Sequence, residues 1–417
     1  MPAHTHCRIC RTLLPAPFFD LGDMPLANAF LSSPAEYSGE ERYPLAVAAC
    51  PGCGLAQLNY VVPAEQLYRQ YIYVSSTSEA VTAHARTLAD TVVAQYALGP
   101  SDLIMEVASN DGTVLKAFKR RDVRVLGVEP ARNIAAIAEA DGVPTVAEFF
   151  DVATARAVRK DHGPARAILG RHVFAHVDDV QGFFEGVDAA LAPDGVFIIE
   201  VPYLPDLLEK LEFDTIYHEH LSYIALEPMQ RLCAMHGFDL VDVERVALHG
   251  GSIVLHMRRA GVGAPSARLR QMLEAERALT LTEPAGMVTF AGRVAAWKAQ
   301  FEALIDDVAR AGGRLIGYGA AAKANTLLNY CPRLARSLQL ILDRSPHKHG
   351  RYTPGTHIRV EPVERWDTAA ATHMVILAWN FQQEIMRQMR AFEQAGGRFI
   401  VPIPVARVVE NAEASPV

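Results

Sequence analysis

Residues 217–223 read YHEHLSY and place two histidines, a carboxylate and two phenols within seven positions. A histidine needs little tuning to act as a general base near neutral pH, and a neighbouring carboxylate can orient or stabilise it. A phenol can donate a hydrogen bond to an oxygen on which negative charge develops. Such groups are costly to bury together without a purpose. The cluster therefore predicts proton-transfer chemistry, with either His218 or His220 as the base.

Two Cys-x-x-Cys pairs with thirty-nine residues between them form the strongest pattern in the sequence, and their members are Cys7, Cys10, Cys50 and Cys53. Two knuckles that each present two thiolates can close a tetrahedral shell around a structural zinc ion. His4 or His6 could replace one thiolate, and the alternatives to metal are a redox pair or free buried thiols. Gly52 and Gly54 favour the metal because tight knuckles need backbone freedom.

Composition sets broad limits on the function. The 417 residues are enough for two or three domains, and the net charge of −7 argues against broad binding to nucleic acid or to an anionic membrane. No apolar run is long enough to span a bilayer. The first ten residues lack the features of a secretory signal, so we expect a cytoplasmic protein with reduced thiols. Cys233 and Cys331 stand alone, and we expect both to pack in the core.

Short apolar runs alternate with helical stretches from Leu103 onward, which predicts a parallel, doubly wound sheet. Ligands bind such sheets at the carboxyl ends of the strands, here the loops at 106–113 and 127–133. The first loop lacks the glycine-rich fingerprint of nicotinamide enzymes, so a cationic or hydroxyl-rich ligand fits better. Glu129 is placed to accept both ribose hydroxyls of an adenosine moiety, and the alternative is a solvated acid. The residues assigned to this ligand are Glu106, Ser109, Asn110, Asp111, Gly112, Glu129 and Pro130.

The last third of the chain carries a second nucleotide-like pattern. Gly317, Gly319 and Ala322 follow a predicted strand in the arrangement G-x-G-x-x-A, and the next strand ends at Asp343. Alone, this pattern suggests a dinucleotide, so an NAD-dependent oxidoreductase is a competing interpretation. Residues 265–311 have the composition of a helical connector, and we expect Pro284 and Gly286 to split it into two helices.

Several segments resemble, in order, the C-methyltransferases that branch nucleotide-linked deoxysugars: CRIC, LGDMPLANAF, CPGCGLAQL, EVASNDGTVLKAF, LGVEPARNIAAIA, FAHVDD, FDTIYHEHLSY, HGGSI, GYGAAAKANTLLN and YTPGTHI. The resemblance spans nearly the whole chain and implies an α/β protein. It implies a zinc-binding domain (1–70), a class I methyltransferase Rossmann-like domain (71–262), a helical connector (263–310) and a Rossmann-like sugar-nucleotide domain (311–417). Arg171 and His172 depart from the family, which more usually has an asparagine-containing stretch there.

The resemblance also implies roles for individual residues. The catalytic groups that it implies are Tyr217, Glu219, His220, His176 of FAHV and Tyr71 of YRQYIY. Three basic residues of the last domain could neutralise a diphosphate, although basic residues on a solvated face are the alternative. The residues assigned to the sugar nucleotide are His218, Gly319, Lys323, Asn325, Arg344 and Lys348.

We therefore expect S-adenosyl-L-methionine to donate a methyl group to a nucleotide-linked 4-keto deoxysugar. The acceptor would be the carbon beside the ketone, C3, the sugar would be TDP-linked, and the product would be a branched-chain sugar. The alternatives are an O- or N-methyltransferase of a small molecule, the NAD-dependent sugar-nucleotide oxidoreductase, and a non-catalytic binding module with a zinc knuckle. The oligomeric state is not predicted.

Overall fold

The computed structural model describes residues 4–69, 74–77, 79–247, 250–279, 284–368 and 370–409. The strands are β1 (Phe19–Pro25), β2 (Arg42–Ala49), β3 (Ala56–Leu58), β4 (Leu103–Val107), β5 (Arg124–Val128), β6 (Thr145–Val146), β7 (Ala165–Arg171), β8 (Leu191–Pro202), β9 (Ser222–Tyr223), β10 (Phe238–Val246), β11 (Ser252–Arg259), β12 (Leu315–Tyr318), β13 (Leu338–Asp343), β14 (Val360–Pro362), β15 (His373–Ile376), β16 (Arg398–Val401) and β17 (Arg407–Val409).

The α-helices are α1 (Ala64–Tyr68), α2 (Glu79–Gln95), α3 (Thr113–Lys119), α4 (Arg132–Ala140), α5 (Val152–His162), α6 (Val180–Ala190), α7 (Leu204–Glu209), α8 (Leu226–Met235), α9 (Ala267–Ala278), α10 (Pro284–Arg310), α11 (Ala322–Tyr330), α12 (Pro332–Ser337), α13 (Gln382–Gln388) and α14 (Arg390–Gln394). Short 3₁₀ helices include Phe174–His176, Phe213–Thr215 and Trp379–Phe381. Within the described ranges, no helix combines the length and the apolar character needed to cross a bilayer.

The chain divides into two compact units, each assembled from segments that are distant in sequence. The first unit comprises the described parts of residues 1–16, 48–205 and 221–280. The second comprises those of residues 17–47, 206–220 and 281–417. The domain boundaries expected from the family resemblance stay a prediction.

The first unit is built around a seven-stranded sheet with the order β10-β11-β8-β7-β4-β5-β6. Strand β11 runs antiparallel to its neighbours β10 and β8, whereas the other pairs are parallel. Successive side chains of a strand point to opposite faces, so Ile104 and Leu169 join one apolar cluster while Met105 and Ile168 join the other. Burial on both faces explains why these strands are continuous apolar runs, and the predicted doubly wound sheet is confirmed.

The second unit contains a six-stranded sheet with the order β14-β13-β12-β15-β16-β17, parallel except at β17. Helix α9 ends at Ala278 and α10 begins at Pro284, where the missing N–H of proline costs nothing, so the predicted break at Pro284 is confirmed. Gly286 lies inside α10 and does not interrupt it. Its buried residues recur every three or four positions, as expected for one apolar face, and are Met287, Phe290, Val294, Trp297, Phe301, Ile305 and Val308. Strand β1 pairs antiparallel with β2 in this unit, and Phe19 of β1 packs edge-on against Phe290 at 5.2 Å.

Candidate active site

The cysteines of the two Cys-x-x-Cys pairs lie together in the first unit. Their Sγ atoms are all within 4.8 Å of one another, with 3.5 Å between Cys7 and Cys53 and 3.4 Å between Cys10 and Cys50. The sulfurs of a tetrahedral site with Zn–S bonds of about 2.3 Å lie about 3.8 Å apart. The four thiols are therefore placed to hold one zinc ion.

The two knuckles share one backbone geometry. The carbonyl oxygen of Cys7 accepts from the N–H of Arg11 at 3.0 Å, and that of Cys50 accepts from the N–H of Gly54 at 2.9 Å. Arg11 and Gly54 both have left-handed backbones, with φ of 59° and 77°. Glycine adopts this conformation at little cost, which is the backbone freedom expected at Gly54. His4, one candidate to replace a thiolate, has its Nδ1 atom 3.8 Å from Asp178 Oδ1.

Two acids end neighbouring parallel strands of the seven-stranded sheet. Glu106 is the next-to-last residue of β4, and Glu129 directly follows β5. The N–H of Asn110 donates to Glu129 Oε2 at 2.8 Å, and the N–H of Ala131 donates to Oε1 at 2.8 Å. The loop after β4 and the acid after β5 therefore form one surface, as the strand pattern predicted.

The loop after β4 has an unusual backbone. Ala108, Asn110 and Gly112 have φ values of 53°, 49° and 72°, all in the left-handed region. A non-glycine residue in this region costs on the order of 1–3 kcal/mol, and such residues cluster at ligand sites. A Cβ on Gly112 would also lie 2.9 Å from the side chain of Val143, so this position accepts little besides glycine.

Two buried oxygen atoms at this surface call for a ligand. Glu106 Oε2 and Ser109 Oγ have no hydrogen-bond partner among the residues that the structure describes. Burial raises the pKa of Glu106 to about 8. A cationic ligand would satisfy the Glu106 carboxylate and favour its ionised form. The residues present therefore fit S-adenosylmethionine, which carries an amino group and a sulfonium, and the ribose role of Glu129 stays a prediction.

A buried ion cluster lies at the adjoining ends of β7 and β8. The carboxylate of Glu200 is 2.6 Å from Arg171 Nε, 3.2 Å from His172 Nε2 and 2.9 Å from His84 Nε2. Burial opposes the ionisation of Glu200, but the Arg171 guanidinium and the two histidines hold its pKa well below the usual range. Arg171 and His172, which depart from the family pattern, are therefore tied to one buried carboxylate.

The YHEH residues form a turn in the second unit. The N–H of His220 donates to the carbonyl oxygen of Tyr217 at 2.8 Å, which brings the first and fourth side chains together. Their ring centres are 4.1 Å apart, and the Tyr217 hydroxyl lies 2.8 Å from His220 Nε2. The turn thus joins the predicted phenol and one predicted base.

A second hydrogen bond sets the tautomer of His220. Its Nδ1 atom lies 2.8 Å from the carbonyl oxygen of Thr215. A carbonyl oxygen can only accept, so Nδ1 carries a hydrogen and the neutral imidazole has its lone pair on Nε2. The Tyr217 hydroxyl then donates to Nε2. This arrangement suits a general base that acts at Nε2.

The two middle residues of the turn make other contacts. Glu219 is 3% exposed, and its Oε1 accepts from Asn28 Nδ2 at 2.6 Å. His218 Nε2 lies 3.2 Å from the carbonyl oxygen of Tyr43, and burial lowers the pKa of His218. The two histidines therefore have different environments.

Packing within the second unit fixes the chain just before the turn. Phe213 is fully buried, with ring centres 4.9 Å from Trp297 and 5.1 Å from Tyr330. The adjacent Asp214 accepts a hydrogen bond from Trp379 Nε1 at 2.7 Å, and burial raises its pKa to about 6. The 3₁₀ helix that supplies the Thr215 carbonyl is therefore anchored to α10 and to the loop after β15.

The expected diphosphate-binding residues lie near the carboxyl ends of β12 and β13. Lys348 Nζ donates to the carbonyl oxygen of Ala320 at 2.8 Å and lies 3.5 Å from Asp343 Oδ2. Asp343 Oδ2 also accepts from the N–H of Ala320 at 2.7 Å, and Oδ1 accepts from the N–H of Ser345 at 2.8 Å. Both oxygens of Asp343 are thus bonded to the backbone.

The glycine motif after β12 serves close packing. Gly319 has φ of 94°, and a Cβ there would lie 2.6 Å from the Cβ of Ala378. Lys323, in the helix that follows, places Nζ 4.9 Å from the centre of the Trp379 ring. Gly319 therefore fits against the loop after β15.

Two further residues expected to bind the sugar nucleotide contact protein groups. Asn325 Nδ2 donates to the carbonyl oxygen of Ala27 at 2.6 Å, and Arg344 Nη1 lies 3.4 Å from Glu384 Oε1. These contacts leave the expected substrate roles as predictions.

His176 ends a 3₁₀ helix of the first unit. Its ring stacks on Tyr68, with ring centres 5.6 Å apart and planes 18° from parallel. Burial lowers its pKa to about 3, so the imidazole is neutral at physiological pH. Tyr71, the remaining catalytic candidate, lies outside the described residues.

Sequence reasoning missed two features of these sites. Asn28 precedes its partner Glu219 by 191 positions, and Glu200 is 116 positions after His84. Asn28 falls in the segment LGDMPLANAF, which carries part of the family resemblance, but no local pattern indicates its partner.

The strand order with one antiparallel strand, and the acids Glu106 and Glu129 at the ends of β4 and β5, are typical of a class I methyltransferase. Family models match the methyltransferase domain at residues 82–243, the C-methyltransferase C-terminal domain at 247–404 and the zinc binding domain at 7–68. The C-methyltransferase NovU of Streptomyces niveus is 36% identical over 410 residues, which cover 98% of this chain and 97% of NovU. The chain belongs to the C-methyltransferase family, and it is an S-adenosylmethionine-dependent enzyme with a zinc-binding domain.

Solved structures of methyltransferases align with part of the chain. The CcbJ methyltransferase from Streptomyces caelestis is 14% identical, with a TM-score of 0.35 over 46% of this chain and 97% of its own. The magnesium protoporphyrin IX methyltransferase ChlM from Synechocystis PCC 6803, solved with bound SAM, is 10% identical, with a TM-score of 0.32 over 44% of this chain and 82% of its own.

Cys7→Ser should lower the zinc content well below one ion per chain, because it removes one of four ligands. Structural zinc supplies much of the folding free energy of small knuckle domains, so the melting temperature should fall as well. Elemental analysis and thermal unfolding measure both effects. Cys233→Ala, which changes a buried thiol outside the cluster, should retain full zinc. Full occupancy and unchanged stability in Cys7→Ser would refute the four-cysteine site.

Glu129→Ala should weaken S-adenosylmethionine binding by about tenfold to a hundredfold, since hydrogen bonds to a charged acceptor are lost. Binding of a TDP-linked sugar should be spared. Isothermal titration calorimetry gives both affinities, and Glu139→Ala, which removes an exposed carboxylate of α4, is the matched control. Equal donor affinity in Glu129→Ala and wild type would rule out the ribose assignment.

Donor affinity should rise with pH, because Glu106 has a raised pKa of about 8 and must lose its proton to pair with a cation. Below that pH the affinity should improve by up to about tenfold per pH unit, and it should level off above it. Calorimetry in buffers of different ionisation enthalpy should show proton release on binding at pH 7. In Glu106→Gln the pH dependence should flatten, and an unchanged profile would contradict the assignment.

Proposed function

We propose that this C-methyltransferase deprotonates a nucleotide-linked 4-keto deoxysugar beside the ketone and methylates that carbon, C3, to give a branched-chain sugar. The observation that carries the proposal is the environment of His220, whose Nε2 lone pair faces the hydroxyl of Tyr217. A base beside a phenol is what enolisation of a ketone requires. The proposed substrate is TDP-linked, and the proposed location is the cytoplasm.

Carbon becomes nucleophilic only after a proton is removed, so the protein must act at that step. His220 Nε2 takes the proton from the carbon beside the ketone, and the C–H electron pair moves into the enolate. The Tyr217 hydroxyl currently donates to Nε2, so its hydrogen must turn toward another acceptor before Nε2 can react. The ketone oxygen is that acceptor, and the hydrogen bond strengthens as the enolate charge grows.

The remaining assigned groups support this step. Glu219, next to His220 in the chain, is proposed to be ionised and so to favour the imidazolium formed by proton transfer. S-adenosylmethionine, held by Glu106 and Glu129, supplies an electrophilic methyl group when bound. The family resemblance adds His176 and Tyr71 to the catalytic groups.

The basic residues near β12 and β13 support binding of a diphosphate. Lys323 and Arg344 each lie beside a neutral or acidic side chain of the second unit, and Lys348 lies near the backbone of the glycine motif. Cationic side chains beside a helix N-terminus stabilise phosphate charge. His218, Gly319 and Asn325 complete the proposed sugar-nucleotide residues.

The alternative functions draw less support from these residues. O- or N-methylation needs no enolate and gives the paired Tyr217 and His220 no task. An NAD-dependent oxidoreductase would use Asp343 as the ribose acceptor, but the relative that matches 98% of this chain at 36% identity is a C-methyltransferase.

His220→Ala should lower turnover by roughly 10²–10⁴-fold, the usual contribution of a positioned base, while donor and sugar still bind. Exchange of the C3 hydrogen of a TDP-linked 4-keto deoxysugar with deuterated water, followed by NMR, should disappear. His218→Ala should lose less, because its ring contacts the Tyr43 carbonyl instead of Tyr217.

The control for this experiment is His236→Ala, which removes a histidine of α8's C-terminus bonded to Gln181 and should leave exchange unchanged. Exchange that persists in His220→Ala but vanishes in His176→Ala or Tyr71→Phe would assign the base to one of those residues.

A further inference from the structure

The segment LGDMPLANAF places a polar residue, Asn28, beside the turn of residues 217–220. Neither donor binding nor proton transfer accounts for this residue. Asn28 Nδ2 lies 2.6 Å from Glu219 Oε1, and Glu219 is 3% exposed. An amide nitrogen can only donate, so the carboxylate oxygen must accept. A hydrogen bond to a buried carboxylate favours the ionised form and restricts its rotation.

The loop around Asn28 is anchored on both sides within the second unit. The preceding carbonyl, of Ala27, accepts from Asn325 Nδ2 at 2.6 Å. After Asn28, Leu31 and Tyr352 exchange two backbone hydrogen bonds of 3.0 and 2.8 Å. A buried asparagine of α11 and an isolated β-bridge therefore hold the amide of Asn28 in place.

We propose that Asn28 is a positioning residue for Glu219, which fixes the direction and the charge of this carboxylate while the substrate enolises. The inference rests on the proposed function. Asn325, expected to bind substrate, acts here through the loop by holding Ala27. These contacts thus link α11, through residues 27 and 28, to the residue next to the proposed base.

The charge of Glu219 matters because His220 becomes an imidazolium when it takes the proton. A fixed carboxylate lowers the energy of that cation more than a mobile one, since no reorganisation is needed at the moment of transfer. Asn28 should therefore influence the rate of proton abstraction and leave donor affinity unchanged.

A double-mutant cycle of Asn28→Ala and Glu219→Ala tests this coupling. The measured quantity is the rate of deuterium exchange at C3 of a TDP-linked 4-keto deoxysugar, with calorimetric S-adenosylmethionine affinity as the check on folding. Asn28→Ala alone should slow exchange by about tenfold to a hundredfold, as expected for loss of a hydrogen bond to a charged group. The double variant should match Glu219→Ala within about twofold, because both changes remove one interaction.

The matched control is Gln394→Ala, which removes an exposed amide of α14 in the same unit. Its effect should multiply with that of Glu219→Ala, as for independent sites. Where Asn28→Ala fails to fold, the isosteric Asn28→Asp replaces it and should slow exchange at least as much, since it substitutes an acceptor for the donor.

The outcomes separate the two proposals. Suppose that wild type shows exchange and that the losses from Asn28→Ala and Glu219→Ala multiply. This result would overturn the role of Asn28 and leave the proposed function intact. An unchanged exchange rate in Asn28→Ala would do the same. Absence of exchange in wild type would overturn the proposed function and the inference together.

Discussion

The hydrogen bond from His220 Nδ1 to the Thr215 carbonyl oxygen decides which nitrogen of the imidazole is basic. Without it, the two tautomers of a neutral histidine differ little in energy, and the lone pair would face the phenol for only part of the time. With it, Nε2 is the acceptor and Tyr217 is its donor. The chemistry proposed for the turn depends on this one contact between a side chain and the backbone five residues earlier.

Packing within the second unit holds the Thr215 carbonyl in place. Phe213 lies between Trp297 and Tyr330, and Asp214 binds the indole N–H of Trp379. An aromatic core beside a buried carboxyl resists rotation of the short 3₁₀ helix that carries Thr215. Rigid support of this kind is what a general base needs, because a misplacement of about 1 Å can cost about a hundredfold in rate. The surface proposed to bind the donor differs, because residues of the loop after β4 have left-handed backbones and two buried oxygens have no hydrogen-bond partner among the described residues.

Local patterns in the sequence were sufficient for the parts of the protein whose geometry is set by near neighbours. The Cys-x-x-Cys spacing predicted the cluster because each knuckle places its own two sulfurs, and the strand pattern predicted that Glu106 and Glu129 end adjacent parallel strands. The break before α10 followed from proline chemistry. The residue pattern alone left the base open between His218 and His220. The family resemblance assigned that role to His220 and supplied the other catalytic roles.

Contacts between distant segments were beyond such reasoning. The pairing of Asn28 with Glu219 depends on how an N-terminal loop is anchored to α11, and no periodicity encodes that. The same holds for Lys348, a basic residue expected to meet phosphate, whose ammonium donates to the Ala320 carbonyl. The charge of Lys348 and its position in the chain indicated a phosphate ligand. Its three-dimensional neighbours show that its ammonium contacts the Ala320 carbonyl oxygen and Asp343.

The most direct measurement of the central claim is the tautomer of His220, read from the chemical shifts and proton couplings of its two ring nitrogens by ¹⁵N NMR. His220→Ala provides the assignment, because the resonances that vanish belong to this residue. The hydrogen bond to Thr215 predicts that the neutral ring carries its hydrogen on Nδ1 and leaves Nε2 unprotonated. Hydrogen on Nε2 with an unprotonated Nδ1 would contradict it, since the nitrogen beside Tyr217 would then have no lone pair to accept a proton.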